Sequence, residues 1–496
     1  MTTRVAVIGA GFGGLALAIR LQSAGLATTL IEARDKPGGR AYAWRDQGFT
    51  FDAGPTVITD PASVEELFAL AGRRLADYAR LIPITPFYRL LWPDGDQFDY
   101  VNDQAELDRQ IAARNLPDVD GYRRFLRFSE AVYEEGYKRL GHVPFLRFTD
   151  MLKAAPQLVR LQAWRSVYAK VASCVLDDHL RQALSFHTLL VGGSPFRASS
   201  IYALIHALER DGGVWFAEGG THALVEAMAR LFQDLGGRLL LSDRVRRIVT
   251  DRGLVAGVQH ADGTFEAFDA VASNADIVHT YDQLLAGDAS GRREARRLKR
   301  RRFSPSLFVV HFGLRRTYSN LAHHTILFGP RYRGLIDDIY ANSRLADDFS
   351  LYLHAPSVTD PSLAPPGCST YYALSPVPHL GTAAIDWDVE GPKYADRILE
   401  HLEARCLPGL RSDLVVRRLF TPKDFERELG AWRGSAFSLE PVLTQSAWFR
   451  THNRDRVIRN LYFVGAGTHP GAGVPGVVGS AKATAGLMIA DLKACA

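Results

Sequence analysis

The sequence predicts an α/β fold, and three observations predict it. A strand, a glycine turn and a helix run from Arg4 to Ser23; the same strand-and-helix grammar resumes after residue 211; and a glycine-rich strand-to-helix junction lies near the C-terminus. Together they describe a Rossmann-like nucleotide-binding domain assembled from three stretches, 1–60, 211–290 and 430–496. Interleaved with it are a largely helical insertion, 61–210, with a strand pair near 86–101, and a mixed-sheet substrate region, 291–429. At 496 residues the chain is too long for one simple core, which fits two or three interleaved modules.

The opening reads as a strand from Arg4 to Ile8, a helix from Gly13 to Ser23, a stop at Gly25 and a strand from Thr28 to Glu32, one βαβ unit of a parallel sheet. Helical patterns follow at Ser63 to Ala71, Val119 to Leu140, Pro156 to Ala172 and Asp178 to Leu190, and two strands flank the turn Pro93-Asp94-Gly95. A helix from Thr221 to Leu235 then leads through Gly236-Gly237 to strands at Arg238 to Leu241 and Ala270 to Ser273. Apolar runs at Ser306 to Leu314 and Phe349 to His354 mark the strand-rich region, and Leu461 to Leu492 closes the chain as strand and helix.

Composition narrows the class. With 47% hydrophobic and 23% charged residues the chain is an ordinary globular protein, neither disordered nor a coiled coil. A net charge of +5 is too small for this length to imply nucleic-acid binding. Cys174, Cys368, Cys406 and Cys495 lie far apart with no CxxC spacing, which argues against a disulfide framework or a metal site and for a reducing cytoplasm. The apolar run from Val5 to Ile19 is interrupted by glycines and ended by Arg20, so it reads as neither signal peptide nor anchor, and no membrane span is expected.

The strongest chemical signal is Gly9-Ala10-Gly11-Phe12-Gly13-Gly14, set between strand and helix as a dinucleotide fingerprint requires. Gly9 permits the tight turn, Gly11 admits a pyrophosphate close to the backbone, and Gly14 lets the helix approach the strand. The helix N-terminus then offers free N–H groups and a positive dipole end to phosphate. Glu32, 18 residues beyond Gly14 and followed by Ala33, is placed to accept from the adenosine ribose hydroxyls. A structural glycine turn is the plainer alternative.

That fingerprint alone serves FAD or NAD. Arg34 and then the glycine pair Gly38-Gly39 with Arg40 supply a second phosphate contact, which implies the longer cofactor, FAD. Gly54-Pro55-Thr56-Val57 makes a rigid turn a few residues on. Near the other end, Gly465-Ala466-Gly467 and Gly473-Val474-Pro475-Gly476-Val477 lead into a helix whose N-terminus suits the flavin edge where negative charge gathers on reduction. No second GxGxxG directly follows a strand, so no separate NAD(P) site is indicated, and electrons are expected to leave to a quinone or oxygen.

These motifs resemble the amine-oxidase and phytoene-desaturase superfamily of flavoproteins, of the GR2 type. The runs Gln47 to Val57, Leu190-Val191-Gly192-Gly193, Ser199 to Ile205, Tyr352 to Pro356 and Gly465 to Gly473 look like the bacterial, lycopene-forming phytoene desaturases, over nearly the whole chain. The resemblance implies an FAD enzyme that draws hydride from a long polyene hydrocarbon, forming neurosporene or lycopene from phytoene. It also implies backbone contact between Val245 and adenine and places Asn274 close to the cofactor domain's edge. A related carotenoid desaturase or isomerase, an amine oxidase, and a non-catalytic membrane-associated flavin-binding scaffold are the alternatives.

A polyene has no polar handle, so an apolar tunnel must bind it, at roughly 25 cal/mol per Å² buried. Loss of hydride beside a double bond leaves a delocalised cation, so proton removal needs only a weak base. Asp150 and Lys153, three apart at a helix start, place an acid and a cation on one face, although a helix cap is the structural alternative. The pair His323-His324 has no companion carboxylate motif and reads as packing or surface chemistry. Between Arg292 and Arg302 eight basic residues face one acid, Glu294, with Ala295, Leu298 and Phe303 as a thin apolar face. This segment is expected to dock on an anionic membrane surface, placing the protein at the cytoplasmic face of the cell membrane.

Overall fold

A computed structural model describes residues 3–493; Cys495 lies outside the described residues. Its first sheet is parallel throughout, in the order Leu461–Phe463, Ala270–Ser273, Arg4–Ile8, Ala27–Ile31, Arg238–Leu240. The N-terminal, middle and C-terminal stretches therefore meet in one sheet. Arg4–Ile8 is central, with Ala6 in register with both Val271 and Thr29. Val5, Ala6 and Val7 are fully buried, as expected where helices cover both faces of a parallel sheet.

The helix Phe12–Ser23 is buried from Phe12 to Leu21 because it packs between the sheet, the helix Thr221–Asp234 and the final helix Val474–Lys493. Leu15, Leu17, Ile19 and Leu21 have no exposed surface, and each such side chain is worth about 1.5–3 kcal/mol on burial. The docked final helix thus holds the two ends of the chain together.

The second sheet has seven strands, ordered Leu414–Phe420, Ser306–Leu314, Ser369–Val377, Leu351–His354, His324–Leu327, Tyr88–Leu91, Gln97–Tyr100. Neighbours are antiparallel except His324–Leu327 with Tyr88–Leu91. The strand pair near 86–101 lies where the sequence puts it, but it is not confined to the helical insertion: it completes the edge of the substrate sheet. Ser306–Leu314 is buried at all but Leu307, with Trp387 and Tyr394 of the helix Trp387–Arg405 against Phe308.

Three helical segments differ from their expected form. Instead of one helix from Pro156, there are Phe148–Arg160, with Pro156 inside it, and Val167–Ala172, whose start is capped by the Ser166 side chain accepting from Ala169 N–H at 3.1 Å. Gln162, at φ +51°, turns the chain between them. Asp118–Tyr133 widens into a π-helical stretch, Glu134–Arg139, that brings Gly136 and Tyr137 to the central cavity. Asp178–Ser185 tightens to a 3₁₀ turn, Phe186–Val191, and stops at left-handed Gly192.

Candidate active site

The glycine turns are in mutual contact. A Cβ on Gly14 would lie 1.9 Å from the Gly9 carbonyl oxygen, so no larger residue fits this helix-to-strand crossing. Gly38 donates its N–H to Ala10 O at 2.8 Å, and a Cβ on Gly39 would sit 3.4 Å from Gly11 Cα. A Cβ on Gly13 would meet Gly465 Cα and Val477 Cβ, both at 3.4 Å. The first and last glycine clusters, some 450 residues apart in sequence, thus form one wall.

Asn274 sits at the centre of this wall rather than at its edge. Its Nδ2 donates to Gly9 O at 3.2 Å, and its side chain occupies the space that Cβ atoms on Gly11, Gly13 and Gly465 would enter. Glu32 is buried and accepts from Ala10 N–H at 2.8 Å and Arg34 N–H at 2.9 Å. The carboxylate therefore ties the turn to the second strand, with lone pairs left for ribose hydroxyls.

A dinucleotide with a flavin head fits these residues. The helix Phe12–Ser23 has no side-chain cap at Gly11, so its first-turn N–H groups face the cavity with the dipole behind them. Arg40 Nε and Asp276 Oδ2 are buried without a hydrogen-bond partner among the described residues, a donor for phosphate and an acceptor for a hydroxyl. Burial pulls the Arg40 guanidinium below its ordinary range, partly offset by Asp276.

From this cradle one continuous cavity of about 570 Å³ runs into the helical insertion and along the seven-stranded sheet. Its far part is lined by apolar groups, among them Leu158, Leu189, Ile201, Ile326, Phe328 and Ile336. Every residue expected at the cofactor lines it except Ala10, Gly14, Gly465 and Gly467, which shape the backbone behind it. Val245 lines it beside Glu32 and Arg244.

Asp150 and Lys153 do not reach the cavity. Asp150 accepts from Arg147 N–H at 3.0 Å, which makes it the third-residue partner of a helix cap, and Lys153 is exposed; the same helix turns Met151, Ala154 and Leu158 inward instead. His323 and His324 are not surface groups: both are buried, beside buried His354, and desolvation holds all three imidazoles well below their ordinary range. On the basic helix Ala289–Leu298, Ala295 and Leu298, like Phe303 beyond it, pack in the protein core, so that segment presents charge without an apolar face.

Arg450, Tyr372 and Asp52 brace the site without any local signature in the sequence. Arg450 is buried and donates to Ala466 O at 2.6 Å, bracing the closing glycine turn. Thr56 is hydrogen-bonded to Tyr352 at 2.9 Å and Tyr372 at 2.6 Å, and Tyr372 donates to Gly54 O at 2.9 Å, so the substrate sheet fixes the turn at 54–57. Asp52 accepts from Thr221 N–H at 3.0 Å and His222 N–H at 3.3 Å, capping the helix Thr221–Asp234 from a distant strand. Desolvation pushes its carboxyl up to about 6 despite those bonds.

Fold and cradle together define a flavoenzyme, and the chain belongs to the flavin containing amine oxidoreductase family, which it matches over residues 12–489. Its cofactor is FAD. Within that family it is 65% identical to the lycopene-forming phytoene desaturase of Pseudescherichia vulneris, over 99% of this chain and 100% of that one. It is 43% identical to the neurosporene-forming phytoene desaturase of Rhodobacter capsulatus, over 97% and 93% of the two chains. Among solved structures, putrescine oxidase bound to putrescine shares the fold at a TM-score of 0.64 and 15% identity, covering 100% of this chain and 99% of that one.

Proposed function

We propose that this chain is an FAD-dependent phytoene desaturase that introduces conjugated double bonds into phytoene, yielding lycopene or its less desaturated precursor neurosporene. One observation carries the reading: the flavin cradle opens directly into an apolar cavity long enough to be walled by both the helical insertion and the substrate sheet. Relatives at 65% to 43% identity, named for this reaction, support it.

Bound FAD supplies the hydride acceptor. The chain's own residues supply position. Gly9, Gly11 and the N–H groups after them would hold the pyrophosphate; Glu32 and Val245 would hold the adenosine; Arg40 and Gly54 to Val57 would follow the chain toward the flavin; and Gly473 to Val477 would offer it a helix N-terminus. Apolar walls exclude water and align an allylic C–H, so orientation replaces hydrogen bonding to substrate. Electrons taken from the substrate would leave to a quinone or oxygen, since no second dinucleotide turn offers an NAD(P) site.

The route in is hydrophobic too. The helix Phe148–Arg160 walls the cavity with Met151, Ala154 and Leu158, while Phe148, Leu152 and Val159 stand 49%, 56% and 60% exposed and Trp164 beyond it 63%. Arg147, Lys153 and Arg160 rim this patch. Phe148 packs on Trp448 at 5.1 Å and Arg301 donates to Thr444 O at 3.4 Å, so the patch and the basic segment flank the same stretch of chain. An apolar patch with a basic border suits the surface of an anionic bilayer, the phase that dissolves the substrate. No helix among the described residues is long and apolar enough to cross a membrane.

Incubating the FAD-loaded protein with phytoene in liposomes and resolving the products by chromatography tests the reading. Lycopene or neurosporene is the expected product. Unchanged phytoene beside conversion of a later carotenoid would move the assignment to another desaturase or an isomerase.

A further inference from the structure

Away from the cavity wall, three histidines meet inside the substrate sheet. His324 and His354 are register partners across the strands His324–Leu327 and Leu351–His354, and His323 precedes the first of these. Their ring centroids lie 4.4 Å (His323 to His324), 4.9 Å (His323 to His354) and 5.4 Å (His324 to His354) apart. They are 4%, 0% and 1% exposed, with the ring of Phe216 against His323 and His354.

Their hydrogen bonding is lopsided. His323 Nδ1 is bonded to Thr359 Oγ1 at 2.6 Å and His324 Nδ1 to the Tyr352 hydroxyl at 2.7 Å, while Nε2 of both, and both ring nitrogens of His354, have no partner among the described residues. An unsatisfied buried polar atom costs about 1–3 kcal/mol, so four in one place call for an occupant. A hydroxyl on Nδ1 is the outer-shell arrangement that leaves the Nε2 lone pair for a metal. One ring nitrogen from each residue lies within 4.8 Å of the others, and tetrahedral zinc, with bonds of about 2.0–2.1 Å, needs them about 3.4 Å apart, so the rings must close in on the ion as it binds.

We propose that His323, His324 and His354 bind a first-row divalent metal ion of the zinc class, with water in the fourth position. Three neutral nitrogen donors without carboxylate or thiolate suit zinc and disfavour magnesium or calcium, which take oxygen. The ion staples two strands of the substrate sheet. Through His324 and Tyr352 it also fixes Thr56, and with it the turn at 54–57 that lines the cavity. Its role is positional, not redox.

The test uses the FAD-bound protein from zinc-supplemented cells, desalted and analysed by plasma mass spectrometry, then melted with 1,10-phenanthroline and again after Zn²⁺ is returned. The expected result is about one zinc per chain, a melting temperature lowered by chelator and restored by zinc, and at least about tenfold less metal in His354→Asn and His324→Asn. If those variants do not fold, zinc-edge X-ray absorption of the wild-type protein decides, with three histidine nitrogens at about 2.0 Å expected. Less than about a tenth of an ion per chain with no response to added Zn²⁺, Co²⁺ or Ni²⁺, metal retained in His354→Asn, or a shell without histidine would overturn the proposal.

Discussion

Single atoms decide the cofactor site. Because a Cβ on Gly14 would lie 1.9 Å from Gly9 O, Gly14→Ala must push the helix off the strand and open the pyrophosphate turn. Flavin absorbance after desalting is expected to fall at least about tenfold in this variant. Gly486, exposed on the final helix with nothing near its missing Cβ, is the control: Gly486→Ala should keep the flavin and gain about 0.5–1 kcal/mol in denaturant unfolding. Asp52 gives a pH signature. Its folded-state value of about 6 lies above the ordinary 3.8, so the folded protein takes up this proton more readily than the unfolded chain. The contribution of Asp52 is therefore most favourable below 3.8 and declines as pH rises through 6, by about 3 kcal/mol in all. Asp52→Asn removes this term, and its melting temperature should fall less than that of the wild type between about pH 4 and about pH 7. Parallel curves would assign the pH dependence to other groups.

At the scale of elements, the helix Phe148–Arg160 carries apolar groups on two faces, which a soluble surface helix has no reason to do. If it docks on lipid, Leu152→Asp with Val159→Asp should reduce liposome flotation at least about fivefold while leaving flavin content unchanged. Neutralising Arg296, Arg300 and Arg301 should instead weaken binding to anionic liposomes and leave neutral ones unaffected. Equal flotation of all these proteins would remove both surfaces from the account. The same helix shows where local pattern misleads. Pro156 reads as a helix start because proline favours the first turn, yet here it is tolerated inside a helix that begins at Phe148. The Asp150 cap that starts it there is also the reason Asp150 is not available for chemistry.

Across the whole molecule, what was legible in the sequence is what short spacing encodes. The glycine turns at 9–14, 38–40 and 465–477 announce themselves because a close approach admits only glycine, and most of the expected cofactor residues line one cavity. The hairpin around Pro93-Asp94-Gly95 was readable as two strands, but its parallel partner, His324–Leu327, is more than 200 residues away and leaves no trace in local pattern. Arg450 and His354 escaped for the same reason, and Asn274, expected near the cofactor domain's edge, lies instead at the centre of the glycine wall. Each acts through contacts made only when distant segments pack, Asn274 against Gly9 and Gly465, Arg450 against Ala466, His354 against His323 and His324.

Function rests on a flavin gripped by both ends of the chain and facing a hydrocarbon held only by apolar walls. An anaerobic titration of the FAD-loaded protein with phytoene in liposomes measures that directly. Oxidised flavin should bleach in proportion to phytoene added and regain its yellow colour on admitting a quinone or oxygen. A flavin that stays oxidised with phytoene in excess, yet is reduced by an amine, would contradict it.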